Sequence, residues 1–330
     1  MRRLVHSLIM SGIIGHTLYA ELALREVVRQ KHRWAGVMQA HRASFHAGAY
    51  IGSDIQVMPE AVCVDTGKEV GFGTVPLERS PITGGAVRRF RLDTPDGPLT
   101  ATRVHERFYG RAHLVFGWTQ AEKELRVPWD HLPEYFAAVI ADLGDKDERA
   151  LAYTLGWIVH VVGDSLIKGQ QPGIELNLVD GRYTAKNRPV QDLISYHDIG
   201  IAELGMDWPR DLTAMASTPV VDIQLHYMRC VEPRGKLASL FPDGWVPAAA
   251  PTLRAVLAEN RRYVRQHALD EIASMQLANG ECSAALREKS GLTLAEMREA
   301  ARAAKFRGML NTMTTQITTM FEAVNMRIRA

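Results

Sequence analysis

Two side chains in the segment "GWIVHVVGDSLIKGQQPG" carry the first sign of chemistry, because His160 and Asp164 interrupt an otherwise apolar run between Gly156 and Gly173. Residues four apart lie on one face of a helix, so the pair can hold one ion together, with Tyr153 and Trp157 continuing that face towards the N-terminus. Imidazole nitrogen and carboxylate oxygen are ordinary zinc ligands at about 2.0–2.2 Å, and the neighbouring Val159, Val161 and Val162 would keep water away from an ion. The simpler alternative is a His–Asp hydrogen bond that satisfies two buried polar groups. The pair by itself leaves both open.

Twelve histidines in 330 residues make imidazole ligation worth pursuing elsewhere in the chain. Thiolate chemistry is not supported: Cys63, Cys230 and Cys282 are far apart, odd in number and form no CxxC pair. Charge selects no partner either, since 39 Lys and Arg nearly balance 37 Asp and Glu for a net charge of +2. There is no Walker loop, dinucleotide fingerprint or GxSxG elbow, so nucleotide-dependent and serine-hydrolase readings find no support.

The elements that must position these residues are mostly helices. Apolar residues at helical spacing predict a helix over residues 8–30, which carries His16, and another over 34–47. Glycines and a proline in "GAYIGSDIQVMPE" then break the pattern and place Asp54 in a loop or at a helix end. From about 60 to 118 the texture changes to alternating runs around Thr94-Pro95-Asp96-Gly97, the signal of a small β-hairpin insertion. "LPEYFAAVIADLG" predicts a short helix, and a long one follows from a capping box at Asp145 and Glu148 to a stop at Gly169. "PVQDLISYHDIGIAELG" is helical, and residues 206–250 are irregular apart from helix around Val221–Val231. The last 80 residues are helical, with a second capping box at Thr293 and Glu296, and Met309, Met313, Met320 and Met326 read as core packing.

The expected fold class is therefore mainly α. Residues 1–250 form one helical domain, and helices from 251–330 pack on it. The start "MRRLVHSLIMSGIIGHTLYA" is basic and then apolar, but His6, Ser7 and His16 interrupt the run and Leu18 sits two before the best cleavage residue, Ala20. No stretch reaches the roughly 18 uninterrupted apolar residues of a spanning helix. The reading favours a soluble, cytoplasmic chain over a secreted one.

The segment "TLGWIVHVVGD" resembles the G-x-x-x-H-x-x-x-D segment of the zinc-dependent phospholipase C family and the related single-strand-specific zinc nucleases. The order of other features is similar over roughly residues 10–205: His16 in "GIIGHTLYAELAL", Asp54 in "HAGAYIGSDI", then His105 in "TRVHERF" or His113 in "GRAHLVFGW". The resemblance implies a multi-helix phospholipase C-like bundle in which Asp54, His105 or His113, His160 and Asp164 bind one zinc. Asp164 would bridge to a second zinc held by His16, and Asp54 would orient or deprotonate the attacking water. The family holds a further zinc through a histidine about six residues after the aspartate and a later helical His and carboxylate four apart. Gln170 stands at the first of these positions, and His197, the candidate ligand on the later helix, has Ile201 four residues on. The resemblance thus implies between one and three Zn2+ ions, with the last site missing or rebuilt.

The function expected is hydrolysis of a phosphodiester by a metal-activated water, on a small phosphoester or a phospholipid. Trp118, Tyr153 and Trp157 would line the slot for either. A nucleic-acid substrate is left open without support from charge, and no protein partner is inferred. The alternative is a non-catalytic or degenerate, metal-stabilised helical protein of the same fold.

Overall fold

Helices account for nearly all of the described chain, as the apolar periodicity predicts. The computed structural model describes residues 12–50, 77–79, 86–88, 91–92, 99–100, 129–143, 147–167, 186–226 and 250–329. The first helices are α1 (Ile13–Arg29), α2 (Ala35–Ala40) and α3 (Arg42–Ala49). Two short antiparallel pairs follow, β1 (Leu77–Arg79) with β2 (Ala86–Arg88), and β3 (Arg91–Leu92) with β4 (Leu99–Thr100). The Thr94–Gly97 turn expected between the last two lies outside the described residues. Then come α4 (Leu132–Leu143), α5 (Glu148–Ile167) and α6 (Asn187–Leu193), the last running directly into a π-helix (Ile194–Glu203). The remaining helices are α7 (Trp208–Ser217), α8 (Val221–His226), α9 (Ala250–Ser274), α10 (Ala284–Ser290), α11 (Leu294–Ala303) and α12 (Phe306–Arg329).

The core forms around α5. A helix that is apolar on all sides has no solvent face and must be surrounded, and α5 is enclosed by α3, α4, α12 and α1. It is long and apolar enough to cross a membrane by length and composition, yet 94% of that stretch is buried inside the protein, as in a core helix. Its closest neighbour is α3. Glycines face each other across that contact: a Cβ on Gly48 would lie 1.9 Å from the Tyr153 carbonyl oxygen, and one on Gly156 would lie 2.0 Å from that of Phe45. Only hydrogen fits at either position, so two glycines set how closely α3 and α5 approach. On another side, Gly163 leaves room for the Tyr19 ring of α1.

Several elements differ from the periodicity reading. The helix expected over 34–47 is two, because the chain turns at His41 between α2 and α3. The cap of α5 comes from Asp147, whose Oδ1 accepts from the Ala150 N–H at 3.0 Å, and the expected ends Asp145 and Gly169 lie outside the described residues. The Thr293–Glu296 capping box is present at the start of α11. The C-terminal helix breaks at Lys305, which adopts φ 54° between α11 and α12. Met313 and Met320 are buried as expected, whereas Met326 is 63% exposed on the final turns of α12. Within the π-helix the Tyr196 carbonyl accepts from Trp208 Nε1 at 2.9 Å, and the two rings stack at 5.2 Å.

Candidate metal centre

Three helices converge on one fully buried polar group. α1 contributes His16, and α5 contributes His160 and Asp164, one turn apart; all three side chains are 0% exposed. His16 Nε2 lies 3.4 Å from Asp164 Oδ1, and His160 Nε2 lies 3.8 Å from Asp164 Oδ2. The two imidazoles face each other with centroids 4.4 Å apart and planes 22° from parallel. The third helix, α3, contributes backbone: the carbonyl of Ala49 is 3.0 Å from His160 Nδ1.

That carbonyl decides the chemistry of His160. A carbonyl only accepts, so Nδ1 must carry the proton and donate it, which leaves the Nε2 lone pair directed at His16 and Asp164. This is the support that metal-binding imidazoles receive. The Gly48–Gly156 contact is what brings the end of α3 close enough to give it.

The distances suit an ion better than direct hydrogen bonds. A charge-assisted N–H···O bond runs about 2.7–2.9 Å, whereas tetrahedral ligands at about 2.1 Å stand about 3.4 Å from one another. One candidate ligand atom from each residue falls within 4.8 Å of the others, so the set of two nitrogens and one oxygen can share an ion. Neither nitrogen of His16 has a hydrogen-bond partner among the described residues, although the ring is fully buried. Burying an imidazole with both nitrogens unsatisfied is costly, and a metal on Nε2 accounts for one of them.

Aromatic rings enclose the group. Tyr19 meets His16 edge-on at 5.7 Å, and Tyr50 lies tilted at 6.3 Å. The Tyr19 hydroxyl accepts from Gln191 Nε2 on α6. Tyr153 and Trp157, expected to line a substrate slot, are core residues. The Tyr153 hydroxyl accepts from Gln224 Nε2 at 2.9 Å, and Trp157 packs edge-on against Phe136 at 5.4 Å and Tyr135 at 6.1 Å. Tyr153 shares the face of Asp164 but lies eleven residues, about 16 Å of helix, away from it.

Of the residues expected at the site, the structure brings together His16, His160 and Asp164. It does not bring His197 to them: His197 sits on the π-helix, with Nε2 2.7 Å from the Met275 carbonyl, where it donates. A nitrogen that carries this proton is not a ligand. Asp54, His105 and His113 lie outside the described residues, as do Gln170 and Trp118.

Two charged groups lie on neighbouring helices. Glu21 on α1 meets Arg25, Arg42 and His46, and Arg42 also holds Asp211 of α7 at 2.8 Å. Burial raises the Glu21 pKa, but hydrogen bonds from His46 and Arg25 and the charge of Arg42 outweigh it and hold the carboxyl at about 2. This network ties α1, α3 and α7 together beside the metal centre. The second group, around Arg188 and Asp192 on α6, lies near the start of α1. Comparison with protein-family models, curated proteins and solved structures finds no match for this chain.

Proposed function

We propose that the protein is a zinc-dependent phosphoesterase that cleaves a phosphodiester with a metal-activated water, in a phospholipase C-like helical bundle with its β-hairpin insertion between α3 and α4. The observation that carries the reading is the convergence of His16, His160 and Asp164 from distant parts of the chain on one buried point. His16, His160 and Asp164 would hold the ion, with Ala49 fixing the tautomer of His160. A bound zinc supplies Lewis acidity towards phosphate oxygens and lowers the pKa of a coordinated water from about 15.7 towards about 7.

The other groups would come from the chain that follows α3. Tyr50 ends that helix with its ring 6.3 Å from His16. Four further residues reach at most about 14 Å, so chain length allows Asp54 to return to the centre as ligand and as the group that orients or deprotonates the water. His105 or His113 would complete the ligand set. The substrate is a small phosphoester or a phospholipid.

One observation favours a second reading. All three ligands are 0% exposed, and structural zinc sites are closed whereas catalytic ones keep a position open to substrate. A metal-stabilised helical protein without catalysis would show this burial.

Metal analysis and turnover separate the two. The phosphoesterase reading expects zinc on protein purified without added metal, and hydrolysis of bis-(p-nitrophenyl) phosphate that a chelator, His160→Ala and Asp164→Ala each abolish. The structural reading expects the same zinc and a lower Tm on chelation, with no turnover. Zinc-free protein, or variants as active as wild type, would sink the assigned centre.

A further inference from the structure

The turn after α1 and the last turns of α12 lie together at one end of the bundle, and that end is basic. Lys31 and Arg33 belong to the turn, Arg327 and Arg329 to α12, and all four residues are exposed. Three contacts hold the two segments side by side. Arg33 Nη1 donates to Asn325 Oδ1 at 3.0 Å, His32 Nε2 stands 3.2 Å from Glu322 Oε1, and the Trp34 ring meets Phe321 edge-on at 6.2 Å. Arg33 and Arg329 are both close enough for their charge to act on His32.

These cations have no acidic partners. Among the described residues no carboxylate pairs with Lys31, Arg33, Arg327 or Arg329, since the nearby Glu26 is taken by Arg29 and Glu322 faces His32. Basic residues at a helix C-terminus ordinarily complement its dipole, and the ends of α1 and α12 each supply the equivalent of about half a negative charge. Those two ends and Glu322 together offset about two of the four cations. The remaining excess sits on one surface of a chain whose whole net charge is +2.

Apolar side chains stand among the cations. Of the four large hydrophobic residues exposed among the described residues, Val28 (38%) and Met326 (63%) are both at this end. Met326 lies four residues after Glu322 and three before Arg329, so the three share the face of α12 that meets His32. The Val28 carbonyl accepts from the Lys31 N–H in the turn that closes α1. The aromatic rings here are covered instead: Trp34 is 3% and Phe321 0% exposed.

We propose that this end of the bundle docks on an anionic lipid surface, with Lys31, Arg33, Arg327 and Arg329 at the headgroups and Met326 and Val28 entering the acyl boundary. Cations beside exposed aliphatic side chains supply the two attractions that hold a protein at such an interface. A nucleic acid would engage the cations but leave Met326 and Val28 against water, and a single strand would find no exposed ring to stack on. The docking does not depend on the phosphoesterase reading, because it is read as protein on vesicles and not as turnover.

Cosedimentation of the full chain with vesicles tests it. Wild type is expected to bind vesicles of equal parts phosphatidylcholine and phosphatidylserine, and not vesicles of phosphatidylcholine. Each basic residue near an anionic surface is worth about fivefold in binding, so Arg327→Gln combined with Arg329→Gln should weaken it about 25-fold. Met326→Ser should weaken binding severalfold with the net charge unchanged. Arg302→Gln combined with Lys305→Gln removes the same charge beyond the opposite end of α12, a helix about 36 Å long, and should bind as wild type does. The proposal is overturned if wild type stays off the anionic vesicles, or if the Arg302 and Lys305 pair weakens binding as much as the Arg327 and Arg329 pair. It is equally overturned if Met326→Ser binds as tightly as wild type, or if duplex DNA is bound as tightly as the vesicles.

Discussion

Gly156→Ala sets helix propensity against packing, and the two predict opposite signs. In a helix interior, alanine is favoured over glycine by about 1 kcal/mol, so propensity alone makes the variant more stable. The added Cβ, however, would sit 2.0 Å from the Phe45 carbonyl oxygen and 2.8 Å from the Ala49 nitrogen, both backbone atoms of α3. Reaching an ordinary contact of 3.4 Å requires α3 and α5 to separate by about 1.4 Å. Overpacking of that kind costs about 1–3 kcal/mol. The same shift takes His160 Nδ1 from 3.0 Å to well beyond hydrogen-bond range of the Ala49 carbonyl, which costs about 1–3 kcal/mol more for the buried groups left behind. The net expectation is a loss of about 1–5 kcal/mol. Urea unfolding in the presence of chelator reads the packing cost without metal binding, and zinc analysis of the untreated variant reads the loss of His160 support. Gly36→Ala, where nothing lies within 4 Å of the added Cβ, should gain up to about 1 kcal/mol. A Gly156→Ala protein as stable as wild type, with full zinc, would refute the claim that this contact positions the centre.

Acid unfolding should report Glu21. Its folded pKa of about 2 lies below the unfolded 4.5, so its contribution is present above pH 4.5 and is lost as pH falls towards 2. The shift corresponds to about 3 kcal/mol, and Glu21→Gln should flatten the acid limb of a stability-versus-pH curve by roughly this much; an unchanged limb would refute the assignment. Asp192 works in the other direction, because its folded pKa of about 6 lies above the unfolded 3.8. Stability therefore falls as pH rises between those values, and Asp192→Asn should remove that fall. Thr293→Ala deletes the side chain that accepts from the Glu296 N–H and should cost about 0.5–2 kcal/mol in urea unfolding.

What could be read from the sequence depended on contrast. His160 and Asp164 stood out because they interrupt a helix that is otherwise apolar, and burial on every side of α5 confirms why polar groups there are unusual. His16 carried no local mark; only its order relative to other histidines suggested it, and the structure puts it 3.4 Å from Asp164. The Ala49 carbonyl has no signal at all, since every residue has one. His197 showed the reverse problem, an attractive residue type whose nitrogen is taken by the Met275 carbonyl.

Element boundaries failed where a residue's role depends on position. Pro209 suggested irregular chain over 206–250, yet in the first turn of α7 its missing N–H costs nothing, and Asp207 caps that turn by accepting from the Arg210 N–H at 3.2 Å. Lys305 hid the break between α11 and α12, because a lysine at positive φ is unremarked by propensity. The mainly α class survived these errors, since it rests on many apolar periods and no single boundary.

Anomalous X-ray scattering at the zinc edge, from crystals of protein purified without added metal, tests the metal centre most directly. A zinc held as described gives a peak about 2.0–2.2 Å from His16 Nε2, His160 Nε2 and an Asp164 carboxylate oxygen. Well-ordered side chains with no peak between them, and Asp164 hydrogen-bonded directly to His16, would contradict it.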